Sequence, residues 1–121
     1  MITGQFCHHG ELLFEIEVIA QGEIFAIEAL LDTGFTSGWL AMDVQDVEEL
    51  GWSVIKRNHV METARGEGYF SLYAGTVLLD GEEFTIPVHA GSGIPEVLLG
   101  LQWLETRRLV VDRQQGLLTL G

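Results

Sequence analysis

Cysteine, proline and basic residues are all scarce in this chain, and the shortages of cysteine and of basic charge each close off a class of protein. Cys7 is the single cysteine among 121 residues, which rules out an intramolecular disulfide and a secreted disulfide framework. Lys and Arg together number 6 against 18 Asp and Glu, giving a formal charge of −12. Such a surface repels the phosphates of nucleic acids and the headgroups of anionic membranes. The acidic excess reads most simply as solubility. No stretch approaches the ~18 continuous apolar residues of a membrane helix. Met1 to Glu11 has neither a basic segment nor an apolar run, so no signal peptide is expected there. These absences predict a soluble, cytoplasmic protein with no nucleic-acid or membrane partner.

What is present suits a globular domain. The composition is 47% hydrophobic and 20% charged, inside the folded range, and the length suits one domain over residues 1–121. With 15 glycines and 2 prolines, many short connections are expected, as in an all-β protein.

Hydrophobic alternation locates the strands. Leu12, Phe14, Ile16, Val18 and Ala20 fall on one face of Glu11–Ala20, and Glu11, Glu15 and Glu17 on the other, the period-two pattern of a half-buried strand. Gln21-Gly22 offers a turn, and Glu23–Leu31 returns as a more uniformly apolar strand, expected inside a sheet. Val44, Val47 and Leu50 predict a short acidic helix over Asp43–Leu50, ended by Gly51. Val60–Tyr73 reads as a hairpin with its tip at Gly66-Glu67-Gly68. Asp80-Gly81 marks another hairpin between Gly75–Leu79 and Glu83–Val88. His89–Ile94 is expected to be a loop, and Leu101–Arg108 a short helix with its arginines favourably placed at the C-terminal end. Leu109–Val111 and Leu117–Leu120 close the chain as a last hairpin. The expected product is a mostly antiparallel, closed or barrel-like all-β fold of about eight strands with two short helices.

Asp32-Thr33-Gly34 is the one candidate catalytic motif. The triplet alone is weak, since chance yields it in roughly one chain of this length in forty, and Asp and Gly after a strand are ordinary turn residues. Its context adds weight. It follows the apolar strand end Ala29-Leu30-Leu31 and runs into Phe35-Thr36-Ser37-Gly38-Trp39-Leu40. This segment resembles the catalytic loop of retropepsin- and pepsin-type aspartic proteases, which reads approximately D-T-G-S-S-x-L-W-V. Late in the chain, Leu98-Leu99-Gly100 with the following helix matches that family's second signature. The glycine-containing segment Thr63–Tyr69 lies between the two, where the family places its flap. The resemblance spans nearly the whole chain and is nearest to small prokaryotic members with phenylalanine after the triplet.

The resemblance implies a retropepsin (acid-protease) fold and an aspartic endopeptidase. Such an enzyme holds two carboxylates with one proton between them; one activates a water and its protonated neighbour polarises the scissile carbonyl. Like charges in contact cannot both ionise. With one triplet per chain, the resemblance implies a homodimer in which each copy supplies Asp32 on a two-fold axis, with a peptide or protein substrate and no cofactor. Thr33 is expected to buttress the loop across the two-fold, Gly34 to allow close backbone approach, and Thr36 to hydrogen-bond near the dyad. Leu98 and Leu99 are expected to pack over the loop, with Gly100 leaving space. Phe35 stands where a small residue is usual and is expected to narrow the adjacent subsite or crowd the dyad. Arg65, Gly66, Glu67, Gly68 and Tyr69 are the expected substrate-facing flap. The chain ends, Ile2–Phe6 and Leu117–Leu120, are the expected interface segments.

Other features have plainer readings. Cys7-His8-His9 lacks a partner cluster with ligand spacing, and His59 and His89 look isolated, so no metal site is expected. Trp39, Trp52 and Trp103 read as core or interface aromatics, and Asp43, Asp46, Glu48 and Glu49 as a solvated helix face. Two readings compete with the protease. One is a non-catalytic peptide-binding or dimerisation module with the same cleft, and the other a small β-domain whose triplet is accidental.

Overall fold

A computed structural model describes residues 1–63 and 66–121, with side chains given throughout except at 61–63 and 66–67. Eleven strands are present among these residues: β1 (Ile2–Thr3), β2 (Gln5–Phe6), β3 (Leu12–Ala20), β4 (Glu23–Leu31), β5 (Leu40–Asp43), β6 (Ser53–Thr63), β7 (Gly66–Leu79), β8 (Glu82–Gly91), β9 (Val97–Leu99), β10 (Leu109–Asp112) and β11 (Leu117–Leu120). One α-helix, α1 (Val44–Leu50), and one 3-10 helix (Leu101–Glu105) complete them. Strands β3, β4, β9, β5, β8 and β7 pair in that order, and β3 pairs back onto β7 through Val18↔Val77. The result is a closed six-stranded barrel.

The alternation in β3 sets the barrel's inside. Phe14, Ile16, Val18 and Ala20 are buried while Glu15 and Glu17 are exposed. Burying each large side chain contributes about 1.5–3 kcal/mol, so a one-residue slip of register would be costly. Two tight turns fix that register. Gln21 and Gly22 have φ of 53° and 76°, and Asp80 and Gly81 have 55° and 78°, the paired positive values of a two-residue hairpin turn. Gln21 also ties its turn to the end of α1, its Nε2 donating to the carbonyls of Glu49 and Leu50 at 3.3 Å. α1 is capped as its sequence suggests. The Asp43 carboxylate accepts from the Gln45 N–H at 2.9 Å, and Gly51 closes the helix at φ 77°.

β4 lies inside the sheet, between β3 and β9, but only its second half is covered. β9 reaches no further than Ala29–Leu31, so Ile24 and Phe25 are left exposed. On the outer face of the β3–β4 hairpin, Glu15 stands directly opposite Glu28, and both are exposed. Facing like charges destabilise a sheet. Glu15→Lys is therefore expected to raise stability by about 0.5 kcal/mol in urea unfolding at low salt, with the gain shrinking as salt is added. An unchanged midpoint at low salt would contradict this.

Three expectations are corrected. Gly66 and Gly68 are strand residues paired with Thr63 and Met61, not a turn, because regular β6–β7 pairing runs on to Thr63↔Gly66. His89, Ala90 and Gly91 belong to β8 rather than to a loop, since β5 pairs with all three and β7 with the first two. The segment after Gly100 is a 3-10 helix that stops at Glu105. Its first N–H groups go to the Asp32 loop, and Arg108 is drawn away to pair with Gly121 through two backbone hydrogen bonds. The arginines are thus not helix-end charges. Arg107 instead bonds Glu82 at 3.1 Å and lies over the Phe84 ring.

The chain ends form a separate three-stranded sheet, β1–β11–β10, within the protomer. Leu118 and Leu120 of β11 are fully buried in it. Among the tryptophans, Trp103 is fully buried, edge-on to Trp39 and Phe84, while Trp39 and Trp52 pack half-buried against the core. Among the described residues, no helix is long and apolar enough to cross a membrane.

Candidate active site

Asp32 follows the last residue of β4, and the loop it opens runs to β5. Between those two strands lies β9, parallel to β4 through Leu31↔Leu99 and antiparallel to β5 through Leu40↔Leu99. The loop therefore arches over the end of a strand that fills the gap between its own two stems. Backbone bonds fasten it there. Asp32 N–H donates to Leu99 O at 2.9 Å, Gly100 N–H to Trp39 O at 3.0 Å, Leu101 N–H to Phe35 O at 2.9 Å and Gln102 N–H to Gly38 O at 3.2 Å. Trp103 adds its Nε1–H to the Trp39 carbonyl at 2.8 Å.

Packing leaves no slack beneath the loop. A Cβ at Gly100 would sit 1.8 Å from the Gly38 carbonyl oxygen, and one at Gly38 would sit 2.0 Å from the Phe35 ring. Leu99 is fully buried beside them. The Asp32 carboxylate is half-buried, and its Oδ1 accepts the Gly34 N–H at 2.9 Å. That bond leaves the other carboxylate oxygen to act elsewhere. Thr33, Gly34, Thr36 and Ser37 are exposed, so the loop presents its polar side outward while its backbone is anchored below.

Phe35 turns the other way. It is only 8% exposed and stacks edge-on against His89, with ring centroids 5.1 Å apart. It fills the space that Gly38 and Gly100 leave open and supports the loop from beneath rather than facing a subsite. Of the flap residues, Arg65 lies outside the described residues. Gly66 and Glu67 are placed by backbone pairing with Thr63 and Glu62. Gly68 pairs with Met61, and Tyr69 pairs with Val60 and is 72% exposed.

An open cleft of about 600 Å³ separates the loop from the β6–β7 hairpin. Thr36 and Ser37 line it from the loop and His59 from β6, with His89 of β8 at its wall. Asp32 does not line it. His59 and His89 are not isolated after all: their ring centroids lie 6.2 Å apart. Only half of this was open to register counting, because the expected tip at Gly66-Glu67-Gly68 gives β6 the wrong register. Continuing the pairing from the Asp80-Gly81 turn puts His89 opposite Leu72, and the β6–β7 pairing puts His59 opposite Phe70. Phe70 and Leu72 are two apart and share a face of β7.

His89 is 6% exposed, and its Nδ1 finds no hydrogen-bond partner. Burial, and secondarily the neighbouring His59, push its pKa down from 6.5 to about 4. An unfolded chain takes up this proton near 6.5 and the folded one near 4, so between those values the unfolded state binds more protons. Stability conferred by neutral His89 is complete above about pH 6.5 and declines as the pH falls towards 4. His89→Gln is expected to flatten that acid limb, read from urea midpoints at several pH values. A limb of unchanged slope would remove His89 as its cause.

No protein-family model matches the chain, and no curated protein sequence matches it. Solved structures do. A retropepsin-like aspartic protease from Rickettsia conorii superposes with a TM-score of 0.66 at 23% identity, covering 99% of this chain and 88% of that one. Simian Foamy Virus (mac) protease gives a TM-score of 0.49 at 22% identity over 78% of this chain and 99% of that one. A closed barrel, a strand threaded under the Asp32 loop and a full-length superposition converge on one conclusion: the chain has the retropepsin-like aspartic protease fold.

Proposed function

We propose that this protein is an aspartic endopeptidase that acts as a homodimer, hydrolysing peptide bonds with a water activated between two Asp32 carboxylates, one from each copy. The observation that carries the reading is the Asp32 loop itself. A carboxylate is held at the end of β4 by a backbone lattice of hydrogen bonds, with Thr33 and Gly34 exposed beside it. General acid–base hydrolysis needs such fixed geometry and a second carboxylate sharing the proton. Each chain brings one triplet, so the partner loop completes the site. The likeness to the Rickettsia conorii protease supports the same reading. In it, Thr33 buttresses the paired loops, and the β6–β7 hairpin, including Gly68 and Tyr69, closes over substrate to exclude water.

Assembly must overcome charge. Each copy carries −12, and that repulsion is screened over about 8 Å at physiological ionic strength. Leu118 and Leu120 are already buried within the protomer, so the chain ends would contribute new apolar burial through the residues that remain open there, Met1, Val111 and Leu117. Dimerisation is expected to strengthen with added salt at neutral pH. Cleavage is expected to be faster near about pH 5 than near about pH 8, since the pair needs its single shared proton. Sedimentation at two ionic strengths and the cleavage rate of a peptide library, with and without a statyl inhibitor, test the proposal. A chain that stays monomeric at high concentration and high salt cannot form the dyad. A chain that dimerises and binds peptides without cutting them is the binding module instead.

A further inference from the structure

We propose that the cleft between the Asp32 loop and the β6–β7 hairpin is a subsite for an acidic side chain of the substrate, held by His59 and His89. This rests on the protease reading above and specifies what that protease selects.

The chemistry of the lining carries the inference. Thr36 and Ser37 from the loop and His59 and His89 from β6 and β8 bring two hydroxyls and two imidazoles into one cleft, all able to donate hydrogen bonds. Among the residues whose side chains are described, no carboxylate lines the cleft, although the chain has 18 Asp and Glu. A patch that combines donors with no fixed acceptor charge suits an acceptor-only group, and among peptide side chains that is ionised Asp or Glu. The rest of the lining is apolar, Val60, Leu72 and Pro87, with Leu72 directly across the sheet from His89. It suits the methylene stem, which glutamate has in greater length.

His89 is arranged for this role. Its ring is fixed edge-on between Phe35 and Phe70, with centroids 5.1 and 6.1 Å away. Its Nδ1 is buried without a partner. An orphaned lone pair is tolerated more readily than an orphaned N–H, so the proton belongs on Nε2, the nitrogen left to donate. His59 is half-buried nearby on β6. A bound carboxylate would also offset the burial and like-charge effects that hold His89 near 4, because an opposite charge favours the protonated form.

The test uses peptide pairs identical except for Glu or Gln, with the change scanned through each position on both sides of the scissile bond. At one position the wild-type dimer is expected to prefer Glu by about tenfold in kcat/KM, the range of one hydrogen bond to a charged group. His59→Gln and His89→Gln should each reduce that ratio towards unity while retaining cleavage of the Gln peptide. His59→Gln sits at a half-buried strand position and keeps the test open if His89→Gln fails to fold. Cleavage without a Glu preference at any position overturns the subsite and leaves the protease intact, as does a preference that survives both substitutions. If wild type cuts nothing, the protease reading fails. Calorimetry with the same pairs then judges the cleft alone, where equal affinities for Glu and Gln peptides overturn it.

Discussion

Asp32→Asn is expected to remove peptide cleavage by at least about 10³-fold in kcat, the upper part of the range for losing an acid–base group, while the fold and the dimer persist. Asn keeps nearly the same shape and retains an Oδ1 acceptor for the Gly34 N–H, which donates to it at 2.9 Å. The bonds that fasten the loop, from Asp32 N–H to Leu99 O and from Leu101 N–H to Phe35 O, involve backbone atoms and survive the change. What disappears is the ability to accept and share a proton. Removing a negative charge from each side of the two-fold also relieves repulsion there, so the variant dimer should be at least as tight as wild type. Sedimentation and steady-state kinetics on the same preparation read both effects. Residual cleavage comparable with wild type would sink the catalytic assignment.

Gly100→Ala is expected to have the largest effect on stability, costing about 3 kcal/mol or more, at or beyond the upper end of ordinary overpacking. The reason is contact, not backbone conformation. Gly100 has φ −83° and ψ 168°, values any residue adopts. Its added Cβ would meet the Gly38 carbonyl oxygen at 1.8 Å and the Gly38 carbonyl carbon at 2.4 Å. Cβ is fixed by the backbone, so no rotamer relieves the clash, and the Asp32 loop would have to lift off β9. That movement breaks the bonds from Gly100 N–H to Trp39 O and from Gln102 N–H to Gly38 O. Gly68→Ala makes the comparison. Its Cβ would meet only the edge of the Phe70 ring at 3.1 Å, a side chain that can yield, so a cost of about 1 kcal/mol or less is expected. Urea midpoints of the two variants settle the order. Equal losses would mean that the strand under the loop is not the tight point it appears from these distances.

Local patterns made much of the barrel legible. The β3 alternation, the Gln21-Gly22 and Asp80-Gly81 turns, and the Asp43 and Gly51 caps each depend on neighbours within a few residues, and such signals survive in a sequence. The Asp32 triplet and Leu98-Leu99-Gly100 could be paired only through resemblance, since the β4–β9 contact joins distant segments. Lengths were harder. Where β8 ends is decided by β5, which pairs with His89, Ala90 and Gly91 from elsewhere in the chain. The helix after Gly100 is cut short by loop carbonyls and by the pairing of Arg108 with Gly121.

The sequence by itself therefore determined the strand face of β3, the Gln21-Gly22 and Asp80-Gly81 turns, the acidic charge and the carboxylate that could do chemistry. Periodicity, φ preferences and net charge are properties of short segments or of the whole composition, and need no partner to be read. Only the tertiary structure decided that Phe35 faces inward, that Gly100 lies against the Gly38 backbone, and that His59 and His89 share one cleft. Those facts arise where the β4–β5 region meets β6 and the β8–β9 region, segments far apart in the chain. They are set by packing at contact distance, which no local pattern encodes.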